Sequence, residues 1–169
     1  MKLSVDFDRD FYMNVGYLIR RAHQVADAIF ESEMRNLGLT PVQYGILIAV
    51  YAHRGIDQFQ VGQAIGFDRT TISYVVRKLC AKGLIKALKD PRDRRSNLLQ
   101  LTAAGEKMLA TARPIAARSL DTLLGRLSAR DRKKLAAALN VLVHAHEAHG
   151  ARPRITPRQR AAVARGAIR

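Results

Sequence analysis

The sequence predicts a mainly α-helical fold carrying one small β-hairpin, and three observations predict it. Apolar residues recur at helical spacing along most of the chain. Candidate N-caps at Thr40, Asp57, Asp68 and Thr102 open helical stretches, and Gly55, Gly66 and Gly83 close them. One stretch, 84–101, leaves helical spacing for two short apolar runs around a turn rich in Asp, Pro and Arg.

The first helix is predicted over residues 10–35. Phe11, Val15, Leu18, Ala22, Val25 and Ile29 alternate in steps of four and three, a seam suited to a partner helix. Tyr12, Ile19, His23, Ala26 and Phe30 form a second stripe beside it, so this helix has two faces to bury. Gly38 ends the segment. Thr40, Pro41 and Gln43 then provide an N-cap, a helix-compatible first residue and a capping box for a helix reaching about His53. A short helix follows from Asp57 to Gly66, with Val61, Ala64 and Ile65 as its apolar side. The next helix spans 69–82, between the Asp68 cap and Gly83.

Residues 84–89 and 97–101 read as two strands around the turn 90–96. Thr102 caps a long helix to about Arg126, with Met108, Ala112, Ile115, Leu120 and Leu123 on one face and a kink expected at Pro114. Ser128 and Asp131 open the last main helix, lined by Leu135, Leu139, Leu142 and His146 and ended by Gly150. The segment 151–169 holds six arginines and no acidic residue, and a short basic helix is expected near Thr156.

The 169 residues, 48% of them hydrophobic, suffice for one core of ordinary size. A formal charge of +15 implies an anionic partner, of which nucleic acid is the commonest. No run of about twenty apolar residues exists to span a membrane, and the first residues lack a signal-peptide pattern. A single cysteine allows no internal disulfide, which suits a cytoplasmic location.

Three helices and a hairpin joined by glycine turns are the order of a winged helix-turn-helix. In the 69–82 helix, Ile72, Val75, Val76 and Leu79 share one face. Thr70, Ser73, Tyr74 and Arg77 lie opposite, flanked by Thr71 and Lys78, and Arg69 opens the helix as a further candidate DNA contact. Hydroxyls, an aromatic ring and long cations can reach base edges and phosphates from a groove. An ordinary amphipathic surface helix shows the same pattern, so the hairpin downstream carries the inference. Its tip brings Arg92, Arg94 and Arg95 beside Asp93. Arginines on such a tip suit the negative potential of a minor groove, and Asp93 can orient one by a charge-assisted hydrogen bond.

The ordered set Leu39-Thr40-Pro41-Val42-Gln43, Asp68-Arg69-Thr70-Thr71, Lys82-Gly83-Leu84-Ile85, Asp90-Pro91-Arg92-Asp93-Arg94-Arg95 and Leu101-Thr102-Ala103-Ala104-Gly105 resembles the MarR family of transcription regulators. The resemblance implies a winged helix-turn-helix domain plus a helical dimerisation domain. Residues 1–38 would be an N-terminal dimerisation helix, 39–102 the DNA-binding domain, 103–150 the C-terminal dimerisation helices and 151–169 a basic tail. It implies a homodimer on a palindromic double-stranded DNA operator, with Arg95 as the wing arginine and Asp93 supporting it. It also implies a crevice between dimerisation helices and winged domain for a small aromatic acid, phenol or aromatic acyl thioester. Tyr17, Arg20, His23, Tyr44 and Arg113 are the residues expected there: a cation holds a carboxylate while apolar walls hold the ring. Each also has a plainer reading, as a packed core histidine or a surface arginine.

Some relatives sense oxidants through a first-helix cysteine. Here the lone Cys80 lies near the end of the 69–82 helix and reads as a packing residue. His144, His146 and His149 lack the further ligands a metal site needs, so no metal or cofactor is expected. No phosphate loop, paired-carboxylate pattern or nucleophile motif is present, so an enzyme is not expected. The alternative function is an architectural, sequence-indifferent DNA-binding protein without an effector.

Overall fold

The computed structural model describes residues 11–89 and 97–147. Its elements are α1 (Val15–Met34), a 3₁₀ turn (Arg35–Leu37), α2 (Pro41–Ala52), β1 (Ile56–Asp57), α3 (Gln58–Ile65), α4 (Arg69–Ala81), β2 (Ile85–Lys89), β3 (Asn97–Leu101), α5 (Ala103–Leu124) and α6 (Ala129–Glu147).

The first helix differs from the expectation. Phe11 and Tyr12 are helical, Met13 is a turn, and α1 starts afresh at Val15. The Asn14 side chain takes the amides of Gly16 and Tyr17 at 2.9 and 3.3 Å. An asparagine that caps competes with helix continuation, so the seam is interrupted after Phe11. Phe11 instead packs its ring 4.9 Å from that of Tyr17.

The other caps fall where their residue types predict. Thr40 and Gln43 form a reciprocal capping box, as do Asp57 and Gln60. Asp68, Thr102 and Ser128 each accept an amide three residues on. Gly55, Gly66 and Gly83 take left-handed φ of 75°, 76° and 67°, which other residues adopt only with strain. Helix α5 continues through Pro114 to Leu124.

Strand β3 is central, antiparallel to β2 on one side and to β1 on the other. The hairpin register pairs Ile85 with Leu101 and closes at Lys89 with Asn97, so the turn 90–96 lies outside the described residues. Strand β1 is an addition: Ile56 pairs with Leu99, giving the hairpin a third strand. Two residues are too few to show strand periodicity.

The core gathers at the meeting of α2, α3, α4, the sheet and the first half of α5. Met34, Ile46, Leu47, Val61, Ile72, Val76, Leu79 and Leu99 are fully buried there. Each such side chain contributes about 1.5–3 kcal/mol by leaving water. Beyond Ala112 no large side chain among the described residues is fully buried. Leu18 and Val25 on α1, Leu120 on α5, and Leu135, Leu139, Val141 and Leu142 on α6 are all exposed on this single chain. An Asp121–Arg132 ion pair at 3.5 Å links α5 to α6.

Candidate nucleic-acid interface and effector crevice

The turn between α3 and α4 is compressed. The amides of Gly66 and Phe67 both reach the Gly62 carbonyl, at 2.9 and 3.1 Å. A Cβ on Gly62 would stand 2.9 Å from the Phe67 carbonyl oxygen, so a side chain there would push the turn open. The three residues 66–68 thus set the angle at which α4 leaves. Asp68 fixes its start: one carboxylate oxygen accepts the Thr71 amide at 2.9 Å and the other the Thr71 hydroxyl at 2.7 Å. These bonds hold the Asp68 carboxyl below the usual carboxylate range.

Helix α4 buries Ile72, Val76 and Leu79 and turns Thr70, Tyr74 and Arg77 outward, with Ser73 partly covered. Arg69 and Lys78 flank that stripe and are exposed. The Tyr74 ring is half exposed, and Lys78 Nζ lies 4.5 Å from its centroid. A cation on an aromatic face is held without losing its charge for a phosphate. Thr71 differs from the others: its hydroxyl proton is committed to Asp68, leaving it chiefly a capping residue.

Arg92, Asp93, Arg94 and Arg95 belong to the turn outside the described residues. The base of the hairpin is described, and it is latched to α5. The Leu84 carbonyl accepts the Thr102 amide at 3.1 Å, and the Thr102 hydroxyl donates to the Gly83 carbonyl at 2.6 Å. The same hydroxyl oxygen accepts the Gly105 amide at 3.0 Å. The sequence reading passed over Lys86 and Lys89, exposed on β2 beside the turn. Their signal was two lysines within a five-residue strand of modest apolarity.

The five residues expected at the crevice fall into three groups. Tyr44 is half-buried with its ring 5.5 Å from that of Phe30, and Arg113 acts on it electrostatically. Burial pushes the Tyr44 phenol up, and the Arg113 guanidinium partly opposes this. This crease lies where α1, α2 and α5 meet. On α1 the Arg20 guanidinium sits 5.8 Å from the Tyr17 ring centroid. His23 is exposed and pairs with Asp27 at 3.4 Å rather than entering the protomer's core.

Cys80 is half-buried, and desolvation pushes its thiol up, the opposite of a reactive thiolate. Among the described residues no cluster of three or more His, Cys, Asp or Glu is placed to hold a metal. His144 Nδ1 lies 2.7 Å from the Asn140 carbonyl oxygen, while the His146 side chain and His149 are outside the described residues. No described helix is long and apolar enough to cross a membrane.

Residues 37–96 match the model of the MarR family. The chain is 30% identical over 141 residues to the HTH-type transcriptional repressor NicR of Pseudomonas putida, covering 83% of this chain and 89% of that one. A structure of Bordetella bronchiseptica BpsR, whose DNA binding is regulated by 6-hydroxynicotinic acid, superposes with a TM-score of 0.76 at 29% identity. It covers 79% of this chain and 95% of its own. The transcriptional repressor CouR bound to a 23-mer DNA duplex gives a TM-score of 0.76 at 27% identity, over 85% of this chain and 99% of its own.

Proposed function

The chain belongs to the MarR family and is a DNA-binding transcriptional regulator, and from that premise we propose that it is a repressor released from a palindromic operator by a small aromatic ligand. The observation that carries the proposal is the outward stripe Thr70, Ser73, Tyr74 and Arg77 of α4, held beside a hairpin whose turn is rich in arginine. In this reading α4 lies in a major groove and Arg95 enters the adjoining minor groove, with Asp93 orienting it and Arg92 and Arg94 near phosphates. Arg69 and Lys78 contact the backbone, and Thr71 holds the cap.

The working unit is a homodimer. The exposed leucines and valines of α1, α5 and α6 form apolar faces too large to leave in water, and a second copy covers them. Residues 39–102 then read DNA, while 1–38 and 103–150 dimerise. Two-fold symmetry sets the half-sites about one helical turn apart. The protein acts where the DNA is, in the cytoplasm.

The effector is a small aromatic acid, phenol or aromatic acyl thioester, which BpsR's response to 6-hydroxynicotinic acid supports. Tyr44 and Arg113 form the inner wall of its crevice and Tyr17, Arg20 and His23 the outer wall, completed by the partner. Ligand favours a dimer state whose recognition helices no longer match the half-site spacing.

The charge of +15 and the arginines of 151–169 favour one competing reading, an architectural DNA binder without an effector. A gel-shift and footprint on the region upstream of the protein's own gene separates the two. Protection of one palindrome, relieved by an aromatic acid, supports the repressor. Equal affinity for every sequence refutes it.

A further inference from the structure

A strongly basic surface lies away from the reading head, where α5 turns into α6. Residues 126–134 hold five cations, Arg126, Arg130, Arg132, Lys133 and Lys134, and one acid, Asp131. The Asp131 carboxylate accepts the Ser128 hydroxyl at 2.6 Å, and Arg132 is taken up by Asp121 at 3.5 Å. Arg126, Arg130, Lys133 and Lys134 are exposed, and none of these side chains has a hydrogen bond or ion pair among the described residues. Helix α5 stands between them and the hairpin. Its 22 residues make a rod about 33 Å long, with the Thr102 latch at one end and this patch at the other.

The stability of α6 does not account for these cations. Arg130 stands three residues from Lys133 and four from Lys134, so like charges are neighbours on the helix surface. They also crowd the N-terminal end of α6, where the helix dipole favours acids. Nor do they belong to its apolar face. Leu135, Leu139 and Leu142 share one side of α6. At about 3.6 residues per turn, Arg130 and Lys133 project about 150° away from that side, with Lys134 on the flank. The second copy proposed above covers the leucines and leaves the cations in water. A surface of this kind draws a polyanion.

We propose that Arg126, Arg130, Lys133 and Lys134 form a second DNA-binding surface, which holds the phosphates of another duplex while α4 and the hairpin hold the operator. The contact is to the backbone and carries no sequence preference. Duplex DNA is the polyanion the setting supplies, because a regulator seated on DNA meets neighbouring segments at high effective concentration. A lipid surface would need an apolar face to bury beside the cations, and the apolar face of α6 is the one a second copy covers. The dimer reading doubles the patch but is not its premise. Each chain carries one reading head and one patch, and so can bridge two duplexes.

The test uses the full-length protein. An immobilised duplex from the region upstream of the protein's own gene is saturated with protein and washed, and a fluorescent duplex of unrelated sequence is then offered. The wild type is expected to capture the second duplex, less strongly as salt rises. The variant R126Q/R130Q/K133Q/K134Q loses that capture by about tenfold or more, while its affinity for the first duplex stays within about twofold. It melts at or above the wild-type temperature, because the crowded charges and their conflict with the dipole are gone. No capture by the wild type overturns the proposal, and so does capture by the variant at the wild-type level. Equal loss of both duplexes also overturns it, since the patch then belongs to the operator footprint. Replacing the six arginines of 151–169 by glutamine is the control, and loss of capture in that protein alone assigns the second duplex to the tail. Retention of the wild type but not the variant on phosphatidylglycerol vesicles, without capture of a second duplex, replaces DNA by a membrane. A monomer in sedimentation refutes the dimer reading and leaves the patch, scored per chain, standing.

Discussion

Gly105→Ala tests the latch between hairpin and dimerisation helix, because propensity and packing predict opposite signs. Gly105 is buried in the first turn of α5. Helix propensity alone favours alanine by about 1 kcal/mol. The Cβ, however, would overlap the Leu84 carbonyl oxygen, stand 3.0 Å from the Leu84 carbonyl carbon, and touch Leu101 Cδ2 at 3.4 Å. The first two contacts are backbone and cannot rotate away. Forcing them apart costs about 1–3 kcal/mol as overpacking. It also strains the bond from the Thr102 amide to the Leu84 carbonyl, worth about 1 kcal/mol. Together these terms leave a net loss of about 2 kcal/mol. For a chain of this length that is a fall in Tm of about 4–8 °C. Thermal melts followed by circular dichroism measure it. Ala104→Gly, at the exposed neighbouring position, serves as control and loses about 1 kcal/mol through propensity alone. A Gly105→Ala protein that melts at or above the wild-type temperature would refute the close-packed latch.

The remaining predictions concern the reading head and the crevice. Arg95→Ala weakens operator binding by about 1–3 kcal/mol and reduces the salt slope by about one; anisotropy titrations with unchanged affinity remove Arg95 from the DNA contact. Asp68→Asn keeps a capping oxygen but cannot titrate. Because the folded-state carboxyl of Asp68 is depressed, its stabilisation is fully present above the unfolded value of about 3.9 and is lost as pH falls through the folded value. Denaturant midpoints of wild type and D68N therefore converge as pH drops below about 4, and a gap that stays constant to pH 2 contradicts the Thr71 bonds. His23→Ala spares operator binding but blunts release by an aromatic acid; an unaltered release curve places the effector elsewhere. Arg113→Gln raises the Tyr44 phenol further, since the opposing guanidinium is gone, and ultraviolet titration of the five tyrosines, with no tryptophan to obscure them, follows it.

Legibility in the sequence followed the range of the forces involved. The Thr40–Gln43 box, the Asp68 and Thr102 caps and the left-handed Gly66 and Gly83 are satisfied within three or four residues, so a linear pattern displays them. Asn14 was missed for a related reason. Its cap is equally local, but the apolar repeat from Phe11 onward runs straight across it and suggests one unbroken helix. Strand β1 exists only through its pairing with Leu99, more than forty residues away, and its two residues have no period to read. The outward face of α4 was visible because amphipathicity is periodic. The commitment of the Thr71 hydroxyl to Asp68 was not, because it depends on a rotamer.

Packing between distant segments shows the same limit at the scale of tertiary structure. Tyr51 at the end of α2 and Glu106 at the start of α5 line one hollow, with α3, α4 and the hairpin between them in sequence. No local pattern relates them. What brings them together is the Thr102 latch and the Leu84–Gly105 approach, which press the first turn of α5 against the base of the hairpin. The same contacts make that base a stiff joint between the half of the molecule placed to read DNA and the half whose apolar faces need a second copy. A joint packed against backbone carbonyls has little room for continuous deformation, so movement there proceeds between discrete packings. A ligand that binds one packing better than the other shifts the reading head by its differential affinity alone. The Tyr44 crease borders α5, so a ligand held there is placed to exert that bias.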